Sequence, residues 1–273
     1  MKRVLTGVSN NIATNIKKIN VWAQSFKKYV EDGEVVLIAA DMTEQDKEVL
    51  NRIDIKYFEV QTDRSITVND SRIRHTADWL EQSDYGSYLV TDVFDVCFQG
   101  NPFDMFNTEK YDFYVASEGV LHSEEPWNMD VMNKTFPEYV NFIRPFEVVC
   151  SGVIGGTKSS LLKTLRLQQE LINKALHGHD IRDQAALNIL LHNGKIDRAK
   201  VFTPKDGWAV HCALAGPTFQ HKEWGLGRSI ADKYGSAKLE DRRIVTAERI
   251  PFKIAHQYNR IPEWNRLIVE EYE

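Results

Sequence analysis

The chain has 273 residues, with 34 Lys and Arg against 39 Asp and Glu, a net charge of −5. That balance argues against a nucleic-acid binder, which carries a basic excess or stripe, and 11 % aromatic residues with only 8 prolines argue against disorder. Cys97, Cys150 and Cys212 form no CxxC pair, so no zinc ribbon or disulfide framework is legible. The longest apolar run, Val35–Ala40, has six residues where a membrane helix needs about 20, and Val4–Ala13 is too polar for a signal peptide. The expectation is a cytoplasmic protein without a membrane span.

In chain order, Arg3–Val8 reads as a strand, and Ile12, Ile16, Ile19, Trp22, Phe26 and Val30 recur at helical spacing. Glu34–Ala40 is a short apolar strand, and Thr43 caps the next helix with Asp46 three residues on. Ile55–Val60 is strand-like, Ser71–Gln82 is a helix with Ile73, Ala77 and Leu80 inward, and Ser87–Thr91 is a strand. Strands separated by helices predict βαβ units, hence an α/β fold with a mixed, mostly parallel sheet flanked by helices. Further on, Tyr111–Ser117 alternates like a strand and Glu118–Asn128 reads as a loop. Val148–Gly155 reads as a strand, then Ser159–Leu176 and Ile181–Leu191 as helices. Pro204–Tyr234 has weak periodicity, Ile250–His256 looks like a last strand and Glu263–Tyr272 a terminal helix. No linker divides the chain, so residues 1–273 are expected to form one domain.

The sharpest local signal is Tyr88-Leu89-Val90-Thr91-Asp92-Val93-Phe94-Asp95, a β-rich strand running into two carboxylates. Ligands of open α/β sheets bind beyond the carboxyl ends of strands. Two acids there, with no Lys or Arg beside them in sequence, repel each other unless a cation is present, and hard divalent ions prefer carboxylate oxygens. The alternative is a plain turn in which Asp92 caps an N–H and Asp95 is solvated.

Continued through Cys97-Phe98-Gln99-Gly100-Asn101-Pro102-Phe103, this stretch resembles the metal-site segment of GT-A glycosyltransferases. Ala116-Ser117-Glu118-Gly119, ahead of Trp127-Asn128, is similar to the segment after the next sheet strand, and Cys150-Ser151-Gly152-Val153-Ile154-Gly155-Gly156 to the acceptor-side strand and turn. Asp183-Gln184-Ala185-Ala186-Leu187-Asn188 resembles the Asp-Gln-x-x-Leu-Asn helix of the glycogenin and bacterial lipopolysaccharide galactosyltransferase group. His256-Gln257-Tyr258-Asn259-Arg260 sits where such enzymes place a C-terminal metal-ligating histidine.

The resemblance implies a single GT-A, Rossmann-like domain, with residues 1–110 as the nucleotide-sugar-binding half and 111–273 as the acceptor half with the C-terminal metal segment. It implies transfer, with retention, from a nucleoside diphosphate sugar (a UDP-sugar by preference) to a glycan or other hydroxyl acceptor. Mn²⁺ or Mg²⁺ would be held by Asp92, Asp95 and His256. The acids stand three apart where many members have Asp-x-Asp, so Asp92 contacting the ribose is a second option. Thr6, Gly7 and Val8 would hold base and ribose. Arg72, in preference to Arg74, would reach sugar or diphosphate with Arg260, Lys222 and Arg228, and the loop with Trp224-Gly225-Leu226-Gly227 would close over the donor. Asp183 would bind sugar hydroxyls and Gln184 would flank the anomeric carbon. An inverting enzyme would instead need Glu118 or Asp206 as base.

Two other classes stay open, a non-catalytic glycan- or nucleotide-binding module and a nucleotide-sugar pyrophosphorylase. The latter carries a Gly-rich, Arg- or Lys-bearing loop after its first strand, and Gly7–Ala13 has no such charge. Gly152–Ser159 lacks P-loop spacing and reads as a strand-to-helix turn with Lys158 exposed; the resemblance implies that its small residues leave room for sugar. His177-Gly178-His179 reads as a helix C-terminal region rather than a metal site.

Overall fold

A computed structural model describes residues 2–62, 67–176, 181–216 and 226–272, the side chains of 68, 69 and 226–229 excepted. The βαβ alternation of the first segment builds the parallel half of the central sheet. Strands β1 (Arg3–Ser9), β2 (Gly33–Ala40), β3 (Lys56–Val60) and β4 (Ser87–Thr91) lie in the order β3-β2-β1-β4, all parallel. Helices α1 (Ile16–Tyr29), α2 (Glu44–Arg52) and α3 (Val68–Gln82) connect them. The α2 cap is reciprocal: the Asp46 N–H donates to Thr43 Oγ1 and the Thr43 N–H to Asp46 Oδ2.

Beyond β4 come β5 (Val96–Phe98), β6 (Phe113–Leu121), α4 (Pro126–Thr135), α5 (Val140–Ile143) and β7 (Glu147–Gly156). They are followed by α6 (Lys158–Lys174), α7 (Asp183–His192) and β8 (Ala199–Phe202). The sheet continues β4-β7-β6-β8, with β7 antiparallel to both neighbours and β8 parallel to β6. Alternation along the strands sorts the apolar residues onto two faces. Val4, Val36 and Ile38 join the core under α3, α6 and α7, whereas Leu5, Val35 and Leu37 join the one under α1.

The C-terminal segment contributes β9 (Ala209–His211), α8 (Cys212–Ala215), α9 (Leu226–Tyr234), the hairpin β10 (Lys238–Glu240) and β11 (Arg243–Val245), β12 (Ile254–His256) and α10 (Pro262–Tyr272). β12 lies between β5 and β9 in a separate small sheet, antiparallel to the first and parallel to the second.

One expectation is overturned: Glu118–Asn128 is not a loop. Strand β6 runs through it to Leu121, with Gly119 at φ 79 and register shifts along the pairing with β7 accommodating the glycine. Further on, the segment starts α4, where Glu125 caps the Trp127 and Asn128 N–H groups and Pro126 opens the first turn. Lys158 is not a free surface charge either. Its Nζ donates to the Glu81 and Ser83 carbonyls at 3.1 and 2.6 Å, closing the C-terminus of α3.

Gln99, just after β5, ties the C-terminal segment to the rest. Its buried amide donates to the Ile244 and Phe252 carbonyls, both at 3.1 Å, and accepts from the Ile244 N–H at 2.7 Å. Gln99→Leu strands the Ile244 N–H and the Phe252 carbonyl in the interior, while the Ile244 carbonyl keeps the Phe252 N–H at 3.0 Å. We expect a loss of about 2–4 kcal/mol in urea denaturation; a loss within experimental error would show that water replaces the amide.

Candidate active site

Asp92 leaves the carboxyl end of β4, the edge at which open α/β sheets receive ligands. The residue before it is fixed, since the Trp22 indole N–H donates to Thr91 Oγ1 at 2.8 Å in the core. The turn 92–95 is fastened on two sides: the Asp92 N–H donates to the Gly152 carbonyl at 2.8 Å and the Gln257 N–H to the Asp95 carbonyl at 2.7 Å. Gln257 is left-handed, φ 55, and turns the chain immediately after His256.

Asp92, Asp95 and His256 therefore meet. His256 Nε2 lies 3.2 Å from Asp92 Oδ2 and 3.8 Å from Asp95 Oδ1, while Nδ1 lies 3.3 Å from Cys150 Sγ. A Cβ at position 152 would stand 2.5 Å from His256 Cε1 and 2.7 Å from Asp92 Oδ2, so glycine lets both side chains lie over β7. Gly152 also lines the cavity, whereas at Gly155 and Gly156 protein takes the space, Phe106 and the Asp112 carbonyl approaching there.

Burial works against the Asp92 charge, but Arg72 and His256 outweigh it and hold the carboxyl well below its ordinary range. Burial raises Asp95, with His256 opposing and the Asp92 charge adding to the rise. Burial alone would lower His256, yet Cys150, Asp92 and Asp95 push it well above the usual imidazole value. The ligand atoms of Asp92, Asp95 and His256 all lie within 4.8 Å of one another. Two carboxylate oxygens and one imidazole, with one acid disfavoured in its charged form until a cation neutralises it, fit Mn²⁺ or Mg²⁺.

A second cluster adjoins this one through Arg72 on α3. Its guanidinium makes ion pairs with both Asp92 and Asp183 and donates to Ser151 Oγ at 3.1 Å. Ser151 Oγ donates to Asp183 at 2.9 Å, and the Ser151 N–H donates to Gln184 Oε1 at 3.1 Å. Gln184 Nε2 in turn donates to Glu118 Oε1 at 3.2 Å and Asn128 Oδ1 at 3.0 Å. Helix α7 is anchored at its start by Arg182, whose N–H and Nε reach the two oxygens of buried Asp70 at 3.1 and 2.7 Å. One turn on, Asn188 exchanges hydrogen bonds with the Val149 backbone at 2.7 and 2.8 Å, pinning α7 to β7.

A cavity of about 490 Å³ opens over both clusters, lined by Arg72, Asp92, Glu118, Asp183, Gln184 and His256, with Trp127 and Arg260 also on its wall. Asp95 lies beside it against His256. Thr6, Gly7, Val8 and Arg74 are not among its lining residues. Thr6 and Gly7 are interior to β1, and the missing Gly7 Cβ would stand 2.5 Å from the Thr91 carbonyl. Asp206 caps its own turn through the Thr203 N–H and hydroxyl, at 2.6 and 2.8 Å. Lys222, Trp224, Gly225 and His177–His179 lie outside the described residues, as do the side chains of Leu226 and Arg228. Ser151, Asn128, Cys150 and His211 also reach the cavity. The first three belong to the motif segments without marking themselves as polar partners; His211 sits in a stretch with no periodic signal.

No protein-family model matches the sequence, and no curated protein matches it. Among solved structures, the fold is similar to that of the galactosyltransferase LgtC in complex with donor and acceptor sugar analogues. The TM-score is 0.56 at 14 % identity, covering 98 % of this chain and 95 % of that one. An active-site mutant of LgtC, with glutamate replacing a glutamine, matches at TM-score 0.55 and 14 % identity over 97 % of this chain and 94 % of that one. The expected architecture, a mostly parallel mixed sheet between helices, is the one found.

Burial, with the nearby Glu125 carboxylate adding, raises Glu118 to about 7 from an ordinary 4.5. The folded state then keeps a proton that the unfolded chain loses above about 4.5, so this group's contribution to stability falls as pH rises from about 4.5 to about 7 and is flat beyond. In EDTA, the stability gap between Glu118→Gln and the parent chain should widen in the variant's favour by at most about 3 kcal/mol over that window. Parallel pH profiles from urea denaturation would refute the raised value.

Proposed function

We propose that the chain is a metal-dependent glycosyltransferase that moves a sugar, with retention, from a nucleoside diphosphate sugar to a glycan or other hydroxyl acceptor, a UDP-sugar being the first donor to test. The observation that carries this reading is the meeting, in one cavity, of Asp92 and His256, with Asp95 beside them, and of Arg72, Asp183 and Gln184. The fold shared with a galactosyltransferase solved with donor and acceptor analogues supports it.

Mn²⁺ or Mg²⁺ held by Asp92, Asp95 and His256 would supply Lewis-acid neutralisation of the leaving diphosphate. Arg260, exposed at the cavity wall, offers the diphosphate a fork of donors. Arg72 orients two carboxylates at once, presenting Asp183 to sugar hydroxyls. Gln184 is held at both ends of its amide, by the Ser151 N–H and by Glu118 and Asn128, so its carbonyl dipole is preorganised beside the developing oxocarbenium charge. The LgtC variant altered at an active-site glutamine favours giving Gln184 this place. Of Thr6, Gly7 and Val8 only Val8 is partly exposed, so the base and ribose are assigned to the open end of β1 there. In this reading residues 1–110 supply the donor half and residues 111–273 the acceptor half with His256. We place the reaction in the cytoplasm, where the three buried free cysteines stay reduced.

UDP with Mn²⁺ should raise the melting temperature, and EDTA should remove the shift. Asp95→Ala should fold normally yet lose donor turnover by about a hundredfold or more. Wild-type turnover in Asp95→Ala would sink the metal assignment, and nucleotide binding without any donor hydrolysis or transfer would leave only a binding module.

A further inference from the structure

His256 belongs to two donor sets. Besides its contact with Asp92 and Asp95, it groups with Cys150 and His211, each offering a ligand atom within 4.8 Å of the others. The fold builds this second set from three strands. β9 pairs with β12 so that His211 stands opposite His256, with ring centroids 5.2 Å apart and planes at 82°, and Cys150 comes from β7. All three residues line the cavity, which gives an ion a way in.

The two sets differ in chemistry. Asp92, Asp95 and His256 are hard donors, whereas one sulfur and two imidazoles are the donors of zinc. We propose that Cys150, His211 and His256 form a zinc site that competes with the hard-cation site for His256. A neutral imidazole has one nitrogen with a free lone pair and one that carries a proton, so it ligates one ion at a time. With zinc on Nδ1, where Cys150 Sγ already stands at 3.3 Å, Nε2 carries the proton and donates it to Asp92 Oδ2, 3.2 Å away. That is the carboxylate–histidine–metal arrangement that orients zinc ligands, with Asp92 demoted from ligand to support. His211 has a carboxylate at hand as well, its Nε2 lying 3.8 Å from Glu118 Oε1. In binding, the Cys150 S–H and His256 Nδ1–H bonds break, the S–Zn and N–Zn bonds form, and both protons go to buffer. Three protein ligands leave the fourth tetrahedral position open. The competition, though not the zinc site itself, rests on the hard-cation reading given above.

Cobalt(II) added to the full chain reads out the site directly. The wild type should show a thiolate-to-cobalt charge-transfer band in the near ultraviolet, bleached by one equivalent of zinc. Cys150→Ser should lose the band, and His211→Gln, a second variant should the first misfold, should weaken zinc binding. Asp95→Asn should keep the band, which separates this site from the other one. No such band in the wild type, or zinc affinity unchanged in a folded Cys150→Ser, overturns the zinc site. In a second arm, zinc titrated into the Mn²⁺-loaded protein should release Mn²⁺, seen by electron paramagnetic resonance. Retained Mn²⁺ alongside the cobalt band overturns the competition. A chain that shows the band and binds no Mn²⁺ supports the zinc site and overturns the hard-cation reading instead.

Discussion

Asp92 and Asp183 are brought together from distant parts of the chain onto one guanidinium, that of Arg72, 20 residues from the first and 111 from the second. Two carboxylates set this deep would repel each other or take up protons without a fixed cation, and a planar fork of donors can serve both at once. The helices that deliver these groups are themselves joined by a buried ion pair, Asp70 on α3 with Arg182 at the head of α7. Each partner lies within two residues of a cavity group, so the pair sets the register of both helices where it matters. A buried pair of this kind adds little net stability over an apolar substitute but is costly to break singly, which suits a positioning role.

The sheet supplies the other constraint. Inserting β7 antiparallel between β4 and β6 places Cys150, Ser151 and Gly152 beside Asp92 on one side and within reach of Glu118 on the other. One strand thereby supplies the thiol against His256, the hydroxyl shared with Asp183, and the empty Cβ position over which His256 and Asp92 lie. Titration follows from the same placement. Asp92, flanked by Arg72 and His256, is held charged, while Glu118, buried beside Glu125, is held towards its neutral form.

Much of this was readable residue by residue, and the failures have physical causes. The Thr43–Asp46 cap and the inward positions of α3 were legible because each depends on residues within one turn. The acids after Thr91 and the Asp183-Gln184 pair were legible because they sit at element ends, where side chains are presented to ligands. The stretch from Glu118 to Asn128 misled because Gly, Pro and acids are turn formers in isolation, yet a register shift absorbs the glycine and a helix N-terminus uses the proline and Glu125. Gln99 and Asn188 sat inside motif segments, and only the fold shows that they clamp backbone rather than face the cavity. His211 had no local signal at all, since its neighbourhood is created by the pairing of β9 with β12.

The sequence by itself determined which segments become strands and helices, how several of them are capped, and that two acids stand at the end of β4. Those properties arise from side-chain periods of two and about 3.6 residues and from hydrogen bonds between near neighbours. Only the tertiary structure decided which of Arg72 and Arg74 reaches the carboxylates, that His256 faces both Asp92 and Cys150, and that Thr6 and Gly7 are interior. These depend on strand register and on the packing of helices far apart in the chain, and Coulomb and desolvation energies follow the distances and burial that such packing creates.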